Sequence, residues 1–212
     1  MKKLVLTRES PCLQPVRRLV EEQKHRTLVM WTIDCAGRLL ALFENRVLTD
    51  RRPREAVEAA KRWARGEIKM PAAQMAALAA HKAATDVLED PAACAAARAT
   101  GHVVGTVHVE THAMGVVMYG LKAFVYDANE ENAGEVIERE CGWFYGRLLH
   151  WQSNIGLVKG PWAPFLLRDD VVNKEKLLRQ KMERERIKQT ATAKRTPGHE
   201  AGSAIWKNEK NI

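Results

Sequence analysis

The sequence predicts an all-α fold, and three observations carry that prediction. Alanine occupies 18 of the 44 positions from 56 to 99, and alanine is the best helix former and a poor strand former. Apolar residues recur at three- and four-residue steps through most of the first 152 residues, the period of a helix with one buried face. Only residues 3–7 read as extended, and a lone short strand has nothing to pair with. Six or seven mostly antiparallel helices follow, joined by short links and trailed by a C-terminal extension.

The first helix starts either after Ser10, with Pro11 at the permissive first position, or at Pro15, and runs to about Gln23. The second spans about 25–45: Val29, Ile33, Ala36, Leu40 and Phe43 make one stripe, while Trp31, Asp34 and Arg38 line up on the opposite side. The third begins near Pro53 and stops at Gly66, a natural residue just past a helix end. The fourth opens at Pro71 and reaches Leu88; Asp90 and Pro91 then supply a cap and first turn for the fifth. Within the fifth, Ala97, Gly101 and Gly105 form a ridge of small residues, packing within the chain or against a second copy as a homo-oligomer. A break at Glu110–Thr111 leads into a sixth helix, and Asn129, followed by Glu130 and Glu131, caps a seventh that ends near Gln152.

Residues 1–152 are therefore expected as one helical domain. Residues 153–188 read as a loop plus a charged helix that packs on the domain or extends from it, with Trp162, Phe165 and Leu166 as anchors. Residues 189–212 have the composition of a disordered basic tail whose one docking feature is Trp206.

Charge is unevenly placed. The net charge is +8, but residues 168–212 hold 12 basic and 7 acidic residues, leaving 22 and 19 on the first 167. A nearly balanced body has no strong electrostatic reason to seek nucleic acid, which leaves the tail as the one candidate. Even there Glu175, Glu183 and Glu185 interleave with the lysines and arginines and would repel phosphates. No apolar run approaches the roughly 20 residues of a membrane span, and Arg8 and Glu9 interrupt any secretory h-region. A cytoplasmic chain without membrane contact is expected. Cys12, Cys35, Cys94 and Cys141 are far apart and read as small hydrophobes.

Two constellations carry chemistry. His108 and His112 stand four residues apart, a spacing at which two imidazoles can share a metal, with Asp34, His81 and His102 as further ligands. The competing reading, preferred here, has these histidines bonded to helix termini or carboxylates. No H-E-x-x-H, Walker loop, G-x-G-x-x-G or G-x-S-x-G occurs, so no cofactor is expected. The Trp31, Asp34 and Arg38 stripe is either an exposed recognition patch or a face covered by another helix, with Asp34 paired to Arg38 or to a histidine.

Five ordered segments resemble the immunity proteins of bacterial polymorphic-toxin systems, of the immunity-protein-five-like kind. They are HRTLVMWTIDCAGRLLALFE (25–44), DRRPREAVEAAKRWARGEI (50–68), AHKAA (80–84), GHVVGTVHVETHAMGVVMYGLKA (101–123) and residues 138–149. Asp34, Arg54, His81, His108 and His112 fall on the pattern, whereas Gly37 stands mid-helix and residues after about 153 extend past it. The resemblance implies an all-helical cytoplasmic protein that occludes a cognate toxin domain without catalysis. Trp31, Asp34, Arg38 and Arg54 are the expected contact residues. The alternatives are a metal- or acid/base-dependent enzyme using Asp34, His81, His108 and His112, or a nucleic-acid-associated protein acting through its tail.

Overall fold

Eight α-helices are formed by the described residues, with no strand among them: α1 (Gln14–Glu21), α2 (His25–Arg46), α3 (Arg52–Ala64), α4 (Met70–Asp86), α5 (Pro91–His108), α6 (His112–Asp127), α7 (Ala133–Asn154) and α8 (Lys174–Arg195). The computed structural model describes residues 4–128 and 132–195, with side chains to residue 190. Asn129, Glu130, Glu131, Lys3 and the tail from 196 onward, Trp206 included, lie outside the described residues. The helix count exceeds the expected six or seven because the extension contributes α8. That helix continues through residues 189–195, where composition alone predicted disorder.

Local chemistry sets the boundaries. A single 3₁₀ turn (Pro11–Leu13) precedes α1, so both expected starting prolines are used. Gly66 adopts φ +78°. Its N–H bonds Trp63 O at 2.9 Å and that of Glu67 bonds Arg62 O at 2.9 Å, the paired closure that needs a left-handed residue after a helix. Asp90 accepts the Ala93 N–H at 3.0 Å, capping α5 as expected. Links between consecutive helices from α2 to α6 are short, and each consecutive pair packs together.

Helix α5 packs against α2, α3, α4 and α6. Twelve of its 18 residues are buried, as a helix apolar on all sides should be. Two cores result. One joins α2, α3, α4 and α5 through Phe43, Val57, Trp63, Ala96 and Val103. The other joins α1, α2, α6 and α7 through Leu28, Trp31, Met114, Phe144 and Leu148. Helix α2 serves both, and the strip of Gly37, Arg38, Ala41 and Asn45 along it stays exposed. This corrects the exposed-patch reading of Trp31: it is 0% exposed. Its Nε1 donates to Phe144 O at 3.1 Å, and its ring meets that of Phe144 edge-on at 6.3 Å.

The described residues up to 178 form one compact unit, and those from 179 to 195 belong to a second. In the first, the chain after α7 is tied back: Ala163 N–H bonds Ala64 O at 2.8 Å and Leu166 is buried. The Asn173 side-chain amide donates to Val20 O and Gln23 O at 2.8 and 3.0 Å. Glu175, 0% exposed, accepts from Arg17 Nε and Arg8 Nε, both at 3.1 Å. In the second unit, Arg186 bonds Glu183 at 2.9 Å and Lys181 lies 3.9 Å from Glu185, exposed pairs of little energetic weight. No helix among the described residues is long and apolar enough to cross a membrane. The four cysteines are free thiols, Cys35 and Cys141 buried.

Removing one member of a buried ion pair strands the other. Glu175→Ala takes from Arg17, 4% exposed, its 3.1 Å carboxylate partner, while the contacts to Glu9 and Glu21 are longer, at 3.6 Å. Denaturant unfolding is expected to show a loss of about 3 kcal/mol, the low end of the usual range for such changes.

Candidate binding groove

The ridge of small residues on α5 packs within the chain, against imidazoles. A Cβ on Gly101 would lie 2.6 Å from the His81 ring of α4, and one on Gly105 would lie 2.6 Å from the His112 ring of α6. Gly115 of α6 does the same for His102 of α5, at 2.5 Å. Each glycine therefore lets a ring lie flat on a helix backbone. The rings meet in turn: His102 Nδ1 and His112 Nδ1 are 3.0 Å apart and hydrogen bonded. His81 sits edge-on to His102 at 5.6 Å, and Tyr119 stacks on His102 at 5.2 Å.

A bond between two Nδ1 atoms needs one donor and one acceptor, so a second proton on this pair would set two donors face to face. Burial is the main force holding the His102 pKa down to about 3, with His112 and His81 adding to it. Burial likewise lowers His81, helped by Arg98, and His112, helped by His108. The cluster is neutral at physiological pH.

One face of the cluster opens on a cavity of about 340 Å³, walled by Trp63, Met70, Leu78, His81, His108 and His112. His108 stacks on Trp63 with 6.1 Å between centroids and 16° between planes. The groove continues past Trp63 to Phe165, whose ring lies 5.9 Å away. At its edge α4 exposes Leu78 (60%) and, one turn away, Met75 (71%).

The other expected residues are distributed differently. Asp34 is held on α7, accepting from Arg147 Nε and Trp151 Nε1, both at 2.8 Å. Neither Arg38 nor a histidine is its partner in these bonds. Arg38 makes a two-pronged pair with buried Glu140 at 2.7 and 3.1 Å. Its guanidinium lies 4.4 Å from the centroids of both Phe124 and Trp143, a cation held between two rings. Arg54 bonds Glu44 through Nε at 2.6 Å. Of the expected metal set, the structure brings together His81 and His112, with His102 between them; His108 lies against Trp63 and Asp34 against α7. Among the described residues no group of three or more His, Cys, Asp or Glu side chains is placed to hold a metal ion.

Sequence reasoning passed over His25 and read Glu110 only as part of a helix break. His25 Nε2 bonds the carbonyl of Thr106 at 2.6 Å, one of the last carbonyls of α5 and short of an intrahelical partner. The spacing of Ala97, Gly101 and Gly105 signalled a close approach, and nothing in it distinguished a ring from a helix.

The chain is thus an all-α domain with a neutral imidazole cluster and an aromatic-walled groove. Residues 18–149, which are 132 of the 212, match the family described as "Imm-5 like putative immunity protein", and the chain belongs to that family. No curated protein matches it, and no solved structure does.

Glycines with and without a neighbour should differ in sign. Gly105→Ala pushes a methyl group into the His112 ring and is expected to cost about 1–3 kcal/mol. Gly37→Ala in α2 meets nothing within 4 Å and is expected to gain about 0.5–1 kcal/mol. Paired denaturation curves check both.

The cluster also sets a pH dependence. An unfolded imidazole takes up its proton near pH 6.5, whereas folded His102 resists until about pH 3, so the unfolded chain binds more protons in between and stability falls as pH drops through that window. Unfolding measured at about pH 7.5 and about pH 5 should show the loss. In His102→Gln the slope should shrink by up to about 1.4 kcal/mol per pH unit, the share of one proton.

Proposed function

We propose that this protein is an immunity-type inhibitor that neutralises a cognate bacterial toxin domain by covering its working surface, without chemistry of its own. Family membership over residues 18–149 carries the reading. The groove beside α4 supplies the means: exposed Met75 and Leu78 border a cavity walled by Trp63, Met70 and His108. Contiguous exposed apolar side chains with an aromatic floor are the usual core of a protein contact. The occupant is the toxin domain, and the complex forms in the cytoplasm.

Asp34, Arg38 and Arg54 take the lesser part in this proposal. Each is partly exposed, yet each spends its charge on an internal partner, so these residues serve as charged margins that tune specificity and association rate. Trp31 contributes only by holding α2 against α7.

Co-expression with toxin domains encoded nearby, followed by affinity capture and a growth-rescue assay, tests the proposal. Wild-type protein is expected to rescue growth and co-purify with one toxin. Met75→Asp combined with Leu78→Asp should weaken capture by at least tenfold, which corresponds to about 1.4 kcal/mol, while Arg54→Ala changes it severalfold at most. Failure of the wild-type protein to capture or rescue against every neighbouring toxin would refute the reading.

A further inference from the structure

The loop between α5 and α6 carries a carboxylate that the fold leaves unpaired. Glu110 is 4% exposed, and its Oε2 has no hydrogen-bond partner among the described residues. Its Oε1 lies 3.9 Å from His25 Nδ1, beyond hydrogen-bond reach. That nitrogen also has the wrong polarity. His25 Nε2 faces the Thr106 carbonyl at 2.6 Å and must carry the ring proton, so in the neutral imidazole Nδ1 presents a lone pair. Burial lowers the His25 pKa against the pull of Glu110, favouring that neutral form.

Glu110 and His25 line a surface cavity of about 800 Å³ together with His108, Phe165, Asp169 and Lys174. The Phe165 ring lies 6.4 Å from that of His25. At this end the site thus offers a carboxylate oxygen and an imidazole lone pair, both acceptors, beside a flat aromatic wall. A guanidinium complements all three: it carries five donors, one positive charge and a planar face that stacks on rings. An ammonium supplies the charge but not the plane. Asp169 at the rim is already held by Lys24 at 2.6 Å and Arg26 at 3.1 Å, and Glu22 and Asp170 line the same cavity as exposed acids, whereas Glu110 is buried with an unbonded oxygen.

We infer that the Glu110 cavity receives one arginine side chain of the bound toxin domain, its guanidinium resting on Phe165 and donating to Glu110 and to His25 Nδ1. The identity of the arginine's owner rests on the proposed immunity function; the guanidinium specificity of the cavity does not. Rotation about the terminal torsion of Glu110, a broad and soft one, presents Oε2 to the cavity.

The test uses the full-length protein and two small probes, N-acetyl-arginine methylamide and its neutral isostere N-acetyl-citrulline methylamide, titrated by NMR. Saturable shifts with the arginine probe, at least tenfold weaker binding of the citrulline probe, and at least tenfold weaker arginine binding by Glu110→Gln are expected. Phe165→Ala should weaken it severalfold. Equal binding of the two probes, or undiminished binding by Glu110→Gln, would overturn the inference. Thermal melting guards against a hidden internal counter-ion. Glu110→Gln is expected to hold or raise Tm, and a drop of several degrees matched by Lys174→Met would make Lys174 the partner and overturn the inference. Capture of the toxin by wild-type protein but equally by Glu110→Gln would sink the arginine contact while leaving the immunity reading intact. An arginine-binding cavity in a protein that captures no toxin would do the reverse.

Discussion

The thinness of α5 is the constraint on which the rest of the structure depends. Four helices pack around it, and at Gly101 and Gly105 a ring lies where a Cβ would be. Glycine inside a helix costs roughly 1 kcal/mol each against alanine, so the two together are a real weakness. The surrounding alanines offset it, since they lose no side-chain entropy on folding and hold the helical backbone in place. A thicker α5 would push α4 and α6 outward, opening both the histidine cluster and the wall of the groove.

Polar groups inside the domain follow two different rules. The imidazoles are uncharged and satisfy each other with a single shared proton between His102 and His112. The guanidiniums keep their charge and are met by carboxylates from distant parts of the chain: Arg38 by Glu140, Arg147 by Asp34, Arg17 by Glu175. Such pairs repay little more than the cost of removing two charges from water. Their value lies in register, because a one-turn slip of α2 against α7 would strand four charges at once. Glu110 obeys neither rule: it is buried with an oxygen that no donor meets among the described residues.

Much of this architecture was legible in the residues. Asp90 with Pro91, Gly66, and the stripe on α2 act locally, through one turn of backbone, and local signals survive in a sequence read alone. What was misplaced depends on residues far away. Trp31 shared a stripe with Asp34 and Arg38 and could be read as exposed, because the periodicity of α2 does not show that α7 covers its second face. Asp34 and Arg38 stand four residues apart, yet each reaches over a hundred residues along the chain for its partner. The pairing of His25 with Thr106 and the isolation of Glu110 are also long-range facts. Composition also does not mark where α8 ends: few apolar side chains lie in residues 189–195, yet the helix runs through them.

The ties at Asn173 and Glu175 separate two meanings of the word domain. The segment by which the family is recognised ends at residue 149, but Arg17, buried beside it, finds its closest counter-charge in Glu175, and the carbonyls of Val20 and Gln23 are met by Asn173. The family pattern spans a shorter module than the one that physics holds together. A fragment cut to those borders would lose Arg17 together with Glu175, cut into α1 and α7, and leave the last turn of α1 without the Asn173 amide.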